Sequence, residues 1–112
     1  MDRILMAAGA FAGLGAVAMS AVAAHIPMEQ ATNLMMRDAV QMQGWHALAL
    51  LFAGQMGARL ACGAFLVGMI GFCGSIYGSV FAGLKLTFLA PYGGTALMLG
   101  WALLAITLLK RR

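Results

Sequence analysis

The chain has 112 residues, of which 63% are hydrophobic and only 9% are charged, and its formal net charge is +4. A soluble domain carries roughly 25% charged residues, so this chain cannot cover itself with a water-compatible surface. The mean hydropathy of +0.94 predicts an integral membrane protein whose main partner is the lipid bilayer. The cations lie at the ends of apolar runs rather than in one cluster, so we expect no nucleic-acid partner.

Four apolar runs follow one another along the chain, and each is long enough to cross a bilayer as a helix. A transmembrane helix needs about 20 mostly apolar residues. The period-2 alternation of a membrane barrel is absent from these runs. We therefore predict an all-α fold, a single transmembrane domain over residues 1–112 with four helices at approximately 4–24, 39–56, 60–82 and 91–109.

The first run has features of a secretory signal peptide and is followed by a polar connection. Arg3 precedes the run, and Ala21-Val22-Ala23 has the small residues of a cleavage site. Cleavage would leave only three spans, and we predict that the run is retained as the first helix. In the connection, Pro27 and Glu29 predict a short interfacial helix that leads into the second span.

The distribution of cations predicts the orientation of this bundle. Four spans place both termini on one side of the membrane. That side also holds the connection between the second and third spans, and its cations are Arg3, Arg59, Lys110, Arg111 and Arg112. The opposite side has only Arg37 and Lys85. Because cytoplasmic loops carry an excess of Lys and Arg, we predict that both termini are cytoplasmic.

Glycines in three of the four runs predict close contact between helices. Small residues let membrane helices approach each other, and the pattern GxxxG is the best-known form of this device. The predicted packing positions are Gly9 and Gly13 in helix one, Gly74 and Gly78 in helix three, and Gly93, Gly94 and Gly100 in helix four. The favoured interpretation is packing within the bundle, and the alternative is a face for self-association.

Polar side chains gather toward the outer end of the predicted bundle. The candidate residues are His25, Gln43, His46, Ser75, Tyr77 and Tyr92. An ionisable side chain within a span usually faces the bundle interior, and a neutral imidazole needs both a donor and an acceptor partner. One interpretation is an outward-facing pocket for a headgroup, a quinone or a polar solute. The other is an interhelical clamp that fixes the register of the helices. Trp45 and Trp101 are interpreted as packing residues or cavity walls.

The sequence has no motif for a metal centre, a cofactor or catalysis. Cys62 and Cys73 lie on one predicted helix about 16 Å apart, too far to form a disulfide with each other. Haem ligation by His25 and His46 is a weak alternative, because haem ligands are normally held on facing helices and His25 lies at a helix boundary. Our expectation is no catalytic residue, no metal and no cofactor, with haem and quinone as the alternatives.

Ordered motifs along nearly the whole chain resemble a known family. These are Ala24-His25, Gln43-Gly44-Trp45-His46, Gly74-Ser75-Ile76-Tyr77, Pro91-Tyr92-Gly93-Gly94 and Gly100-Trp101. In this order and spacing the chain resembles the small bacterial inner-membrane proteins of domain-of-unknown-function family 423, to which eukaryotic transmembrane protein 256 is similar. The resemblance implies a four-helix protein of the bacterial inner membrane and brings no established reaction.

The function expected from these observations is that of a non-enzymatic membrane protein. Its size and glycine-rich faces favour an accessory, scaffold or assembly component of a larger membrane complex, or a homo-oligomer. The first alternative is a small-solute or ion carrier that acts as an oligomer. The second is a quinone- or lipid-binding protein that uses the outward polar pocket.

Overall fold

The computed structural model describes residues 1–111, and Arg112, one of the cations assigned to the cytoplasmic side, lies outside the described residues. The chain is all-helical, with α1 at Arg3–His25, α2 at Gln30–Met56, α3 at Arg59–Ala82 and α4 at Ala90–Lys110. A short 3₁₀ turn, Thr87–Leu89, precedes α4. Three segments are long and apolar enough to cross a membrane, and they are α1, α3 and Thr87–Lys110.

The second helix differs most from the prediction, because it begins at Gln30 rather than near residue 39. The expected separate interfacial helix is its first part. No glycine or proline interrupts the stretch from Gln30 to Val40, and the Arg37 Nε donates to Asn33 Oδ1 one turn earlier at 2.8 Å. This extension carries charged residues, and Gln43 and His46 lower the hydropathy of the remainder. That composition separates α2 from the three apolar segments.

Both ends of the described chain meet the connection between α2 and α3. Gly57 ends α2 with a φ of 73°, a left-handed conformation that favours glycine, and the chain reverses there into α3. The Asp2 N–H donates to the Gly54 carbonyl at 2.8 Å. At the other end of the chain, the Arg111 guanidinium donates to the Met56 carbonyl. The helices therefore alternate in direction, and the chain ends lie on the same side of the bundle.

The contact between α1 and α2 is close because glycines lie on both helices. A Cβ added at Gly9 would lie 3.0 Å from the Ala47 carbonyl oxygen, and one at Gly54 would lie 2.8 Å from the Met6 Cγ. Gly13 also faces α2, where an added Cβ would make an ordinary contact of 3.9 Å with Ala47.

The contact between α3 and α4 is closer still. A Cβ at Gly93 would lie 2.2 Å from the Phe72 backbone nitrogen, which no side chain can occupy. At Gly100 an added Cβ would come within 2.5 Å of the Phe65 ring, whereas at Gly94 it would lie 3.9 Å from Phe72. Backbone meets backbone along this contact.

Two of the predicted packing glycines, Gly74 and Gly78, do not face another long helix. A Cβ at Gly74 would meet nothing within 4 Å, and this residue lies on an exposed side of α3. At Gly78 the nearest atom would be the Leu86 Cδ1, at 3.0 Å, in the connection that follows α3. The structure therefore differs from the prediction that this pair packs helix against helix.

The apolar core lies where α2 and α3 meet their neighbours. Its largest fully buried side chains are Phe65, Met36, Leu50 and Cys62. Large apolar side chains are exposed on the outer sides of all four helices, including Phe11, Leu48, Val67 and Leu99. Such an outer surface suits hydrocarbon rather than water.

Candidate functional site

Gln43 on α2 joins three helices through its side-chain amide. Its Nε2 donates to the Ala12 carbonyl of α1 at 2.9 Å. Its Oε1 accepts from the Tyr77 hydroxyl of α3 at 2.7 Å. Gly15 leaves the space that the amide occupies, because a Cβ there would lie 2.7 Å from the Gln43 Nε2. We call Gln43, Tyr77 and the Ala12 carbonyl the amide clamp.

His46, one turn further along α2, joins α2 to α4. The side chain is only 3% exposed. The Trp101 Nε1 donates to the His46 Nε2 at 2.9 Å, so Nε2 is the unprotonated nitrogen. The proton on Nδ1 is then donated to the Met42 carbonyl at 2.6 Å. Both requirements of a neutral imidazole are met inside the bundle.

Aromatic rings surround this second junction, which we call the imidazole clamp and define as His46, Trp101 and Phe65. The Phe65 ring centroid lies 5.7 Å from that of His46 and 5.3 Å from that of Trp101. The two rings joined by the hydrogen bond are 5.8 Å apart and meet edge to face. These separations are those preferred by interacting aromatic pairs. The Phe65 ring on α3 therefore packs against both partners of the hydrogen bond.

The remaining predicted polar residues lie apart from both clamps. His25 is exposed at the end of α1, and Tyr92 is 73% exposed near the start of α4. Ser75 is buried, but its hydroxyl donates to the Phe72 carbonyl of its own helix at 2.8 Å. The six candidates therefore do not line one outward-facing pocket. Three of them, Gln43, Tyr77 and His46, take part in hydrogen bonds between helices.

Trp101 was not identified from the sequence as the hydrogen-bond donor to His46. It was interpreted as a packing residue or a cavity wall, and it is also the donor to His46. A signal was present, since a buried imidazole needs a donor and the indole N–H is donor only. Asn33 was missed as well, and its Nδ2 donates to the Ala23 carbonyl of α1 at 2.7 Å.

The buried polar side chains of the bundle already have hydrogen-bond partners within the protein. Among residues 1–111, every buried side-chain nitrogen and oxygen has a partner. Both ring nitrogens of His46 are engaged in hydrogen bonds, whereas His25 is exposed at the end of α1. Within the same residues, no three His, Cys, Asp or Glu side chains come together as a metal site.

An apolar cavity lies between α2 and α4, beside the imidazole clamp. It measures about 570 Å³ and is lined by Trp45, Leu48, Ala49, Phe52, Trp101 and Leu104. A smaller cavity of about 230 Å³ lies next to the amide clamp, between α1 and α3. The first of these could accept an acyl or isoprenoid chain by its size and lining.

Comparison with protein-family models identifies the family of this chain. A family model described as a protein of unknown function, DUF423, matches residues 8–94. The matched segment includes α1 from its second turn, all of α2 and α3, and the first residues of α4. No solved structure matches the chain.

Proposed function

The chain belongs to the DUF423 family of proteins of unknown function, and from that premise we propose that it is an accessory or assembly subunit of a larger membrane complex. The observation that carries the proposal is the pairing of its polar groups. Gln43, Tyr77, His46 and Trp101 bond to one another or to backbone within the bundle. The surface that remains for a partner is apolar, which suits association within the bilayer.

The proposal includes α2 as a fourth membrane span. At 27 residues α2 is about 40 Å long, which exceeds the hydrocarbon thickness of about 30 Å. It packs between α1 and α3, both of which are apolar enough to span. Its Gln43 and His46 side chains are hydrogen-bonded inside the bundle, so they do not require water at that depth.

We further propose that both termini face the cytoplasm of a bacterial cell, with the bundle in the inner membrane. Arg3, Arg59, Lys110 and Arg111 lie at the end of the bundle where the chain ends meet, whereas Arg37 and Lys85 lie at the other. The positive-inside rule then orients the protein. The family resemblance supports the choice of the bacterial inner membrane.

Cysteine labelling tests this topology. Gln55→Cys lies near the end that holds both termini, and Leu84→Cys lies in the connection after α3. The native Cys62 and Cys73 are buried and give a low background. We expect an impermeant maleimide to label intact spheroplasts at Leu84→Cys and to reach Gln55→Cys only after lysis. Equal labelling of both variants before lysis would contradict the topology.

Glycine packing contributes to the same proposal. Gly9 and Gly13 both face α2, which supports packing within the chain as the role of the first GxxxG. A Cβ at Gly74 would meet nothing within 4 Å, and this residue lies on an exposed side of α3 together with Val67 and Ile70, among the residues that line the cavity next to the amide clamp. This side of α3 is the face that we assign to a partner, since small residues allow close approach between membrane helices.

Native mass spectrometry tests the accessory role directly. The full chain, tagged and expressed at its native level, would be extracted in a mild detergent and weighed with whatever remains bound. We expect a mass that includes other membrane proteins, and Gly74→Trp should remove them while the matched Gly44→Trp, which also meets open space, should not. Recovery of free monomer alone from native membranes would overturn the proposal.

A second candidate function is binding of an apolar tail, such as that of a quinone or a lipid. It is favoured by the cavity of about 570 Å³ between α2 and α4, where Trp45, Phe52 and Trp101 provide aromatic walls. Analysis of the lipid extract of the purified protein would identify such a tail. The small-solute or ion carrier is tested by flux into proteoliposomes, where no flux above that of empty vesicles would reject it.

A further inference from the structure

The end of the bundle that holds both chain ends contains a large open cavity with arginines on its walls. It measures about 710 Å³ and is lined by Met1, Asp2, Arg3, Ile4, Ala7 and Arg59. We call it the basic basin. We infer that the basic basin binds the phosphate of an anionic phospholipid, whose acyl chains lie along the exposed side of α1.

The arginines of the basin present guanidinium groups to an anion. Arg59 pairs with Asp2 through its Nε, at 3.4 Å from the Asp2 Oδ2, and its side chain is 80% exposed. Within residues 1–111 its two terminal nitrogens have no other partner, and they form the fork that binds phosphate oxygens in a bidentate manner. Arg3 lines the same basin from the first residue of α1.

Asp2 does not cancel this positive charge. Its Oδ1 caps α1 by accepting from the Ile4 and Leu5 N–H groups, each at 3.1 Å, and its Oδ2 faces Arg59. The carboxylate is therefore engaged with the positive end of a helix and with one arginine. With Arg3 and Arg59 set against one carboxylate, the side chains of the basin keep a net positive charge that complements a phosphate.

Apolar surface adjoins these charges, which favours a lipid over a free phosphate as the occupant. Ile4 and Ala7 line the basin itself. Phe11 and Leu14 continue the same exposed side of α1 toward the middle of the bundle, at helical spacing. An amphiphile would satisfy both parts of this surface, with its headgroup at the arginines and its chains on α1. Free phosphate would use only the arginines.

The test is a lipid titration of the purified full chain, followed by native mass spectrometry. Phosphatidylglycerol and phosphatidylcholine with identical acyl chains would be compared. We expect retention of phosphatidylglycerol, and roughly fivefold weaker binding for Arg3→Gln and for Arg59→Gln, since each cation near an anionic lipid surface contributes about that much. The control Lys110→Gln removes a cation at the same end but outside the basin lining and should bind as the unmodified chain does.

A second pair of variants changes shape without changing charge. Ala7→Trp places a large side chain in the lining of the basin, whereas Ala10→Trp places the same side chain at an exposed position outside the lining. We expect only Ala7→Trp to weaken phosphatidylglycerol binding, with unchanged thermal unfolding for both variants.

Three results would overturn the inference. They are equal retention of the two lipids, an effect of Lys110→Gln as large as that of Arg59→Gln, or full displacement of phosphatidylglycerol by millimolar inorganic phosphate. Equal retention would show that the basin does not select the headgroup. An equal effect of Lys110→Gln would indicate that the lipid responds to the general positive charge at this end of the bundle. Displacement by phosphate would indicate that the site binds the free anion. None of these results bears on whether the chain associates with other proteins, so the accessory role is tested separately.

Discussion

The contacts of α2 with its neighbours and the contact between α3 and α4 are built in different ways. Every long-range side-chain hydrogen bond between described residues involves α2. Between α3 and α4, the same part of the chain shows no side-chain hydrogen bond, and the glycines at positions 68, 71, 93 and 100 bring the helices together. Lipid offers no hydrophobic drive for helix association, so polar bonds and close packing replace it. The contact of α2 with α1 combines both devices, whereas the contact between α3 and α4 depends on close packing alone among the described residues.

The largest expected effect tests the contact that depends on packing alone. Gly93→Ala places a Cβ 2.2 Å from the Phe72 backbone nitrogen, and neither backbone can yield without separating α3 from α4. We expect a loss of about 3 kcal/mol or more in the free energy of unfolding. Denaturation of the purified protein in mixed micelles would measure it.

The matched control for this variant is Gly74→Ala, on α3. It adds the same methyl group to open space and should leave stability unchanged or slightly higher, because alanine favours the helix. Equal losses for the two variants would mean that α3 and α4 do not approach as closely as described.

The next effect concerns the amide clamp. Gln43→Ala removes both hydrogen bonds that tie α1 and α3 to α2, and we expect unfolding to become easier by about 2 kcal/mol. Gln41→Ala, an exposed glutamine on the same helix, should have little effect. In a double-mutant cycle with Tyr77→Phe, strictly additive losses would show that Gln43 and Tyr77 do not interact.

The imidazole clamp should be weaker, since one hydrogen bond carries it. Trp101→Phe keeps an aromatic ring against Phe65 but removes the N–H donor to His46 together with part of the indole, and we expect a loss of about 1 kcal/mol beyond that of the control. Trp45→Phe, at an exposed position in the same cavity wall, serves as the control. With His46→Leu already present, the effect of Trp101→Phe should fall to that of losing part of the ring. If it persists unchanged, the indole acts through packing.

The smallest expected effect lies at the outer end of α2. Asn33→Ala removes the donor to the Ala23 carbonyl and the acceptor of the Arg37 Nε. Both bonds lie close to the bundle surface, where water competes, and we expect a loss of about 0.5 kcal/mol. Amide hydrogen exchange would detect it as faster exchange at residues 30–38, with Thr32→Ala as the control. Unchanged exchange in Asn33→Ala would indicate that these bonds do not hold the first turns of α2.

The sequence was sufficient to predict the helices that are apolar along their whole length. The bounds of α1, α3 and α4 lie within about one residue of the predicted ones, because length and hydropathy determine them. The start of α2 was predicted too late, since Arg37 and Asp38 were interpreted as lying outside the helix. Charge limits how deep a segment lies in lipid, but it does not end a helix.

The choice of partners within the bundle was harder to predict. His46 was expected to need a donor, but any of several polar residues at similar depth could have supplied it, and the structure selects Trp101. Gly74 and Gly93 are both glycines in apolar helices, yet one meets open space and the other meets backbone. A helix that is apolar on all sides has no polar face to mark its outer side. Hydropathy therefore does not predict which side of such a helix faces its neighbours.

The hydrogen bond from Asp2 to Gly54 has a consequence for biosynthesis. It joins the start of α1 to the end of α2, so it can form only after the chain through Gly54 has left the ribosome. Because α1 leaves first, it must persist until then as a solitary helix. Its apolar composition allows this, since each backbone group is satisfied within the helix. When α2 follows, the Ala12 carbonyl is already in place on α1 to accept from the Gln43 amide.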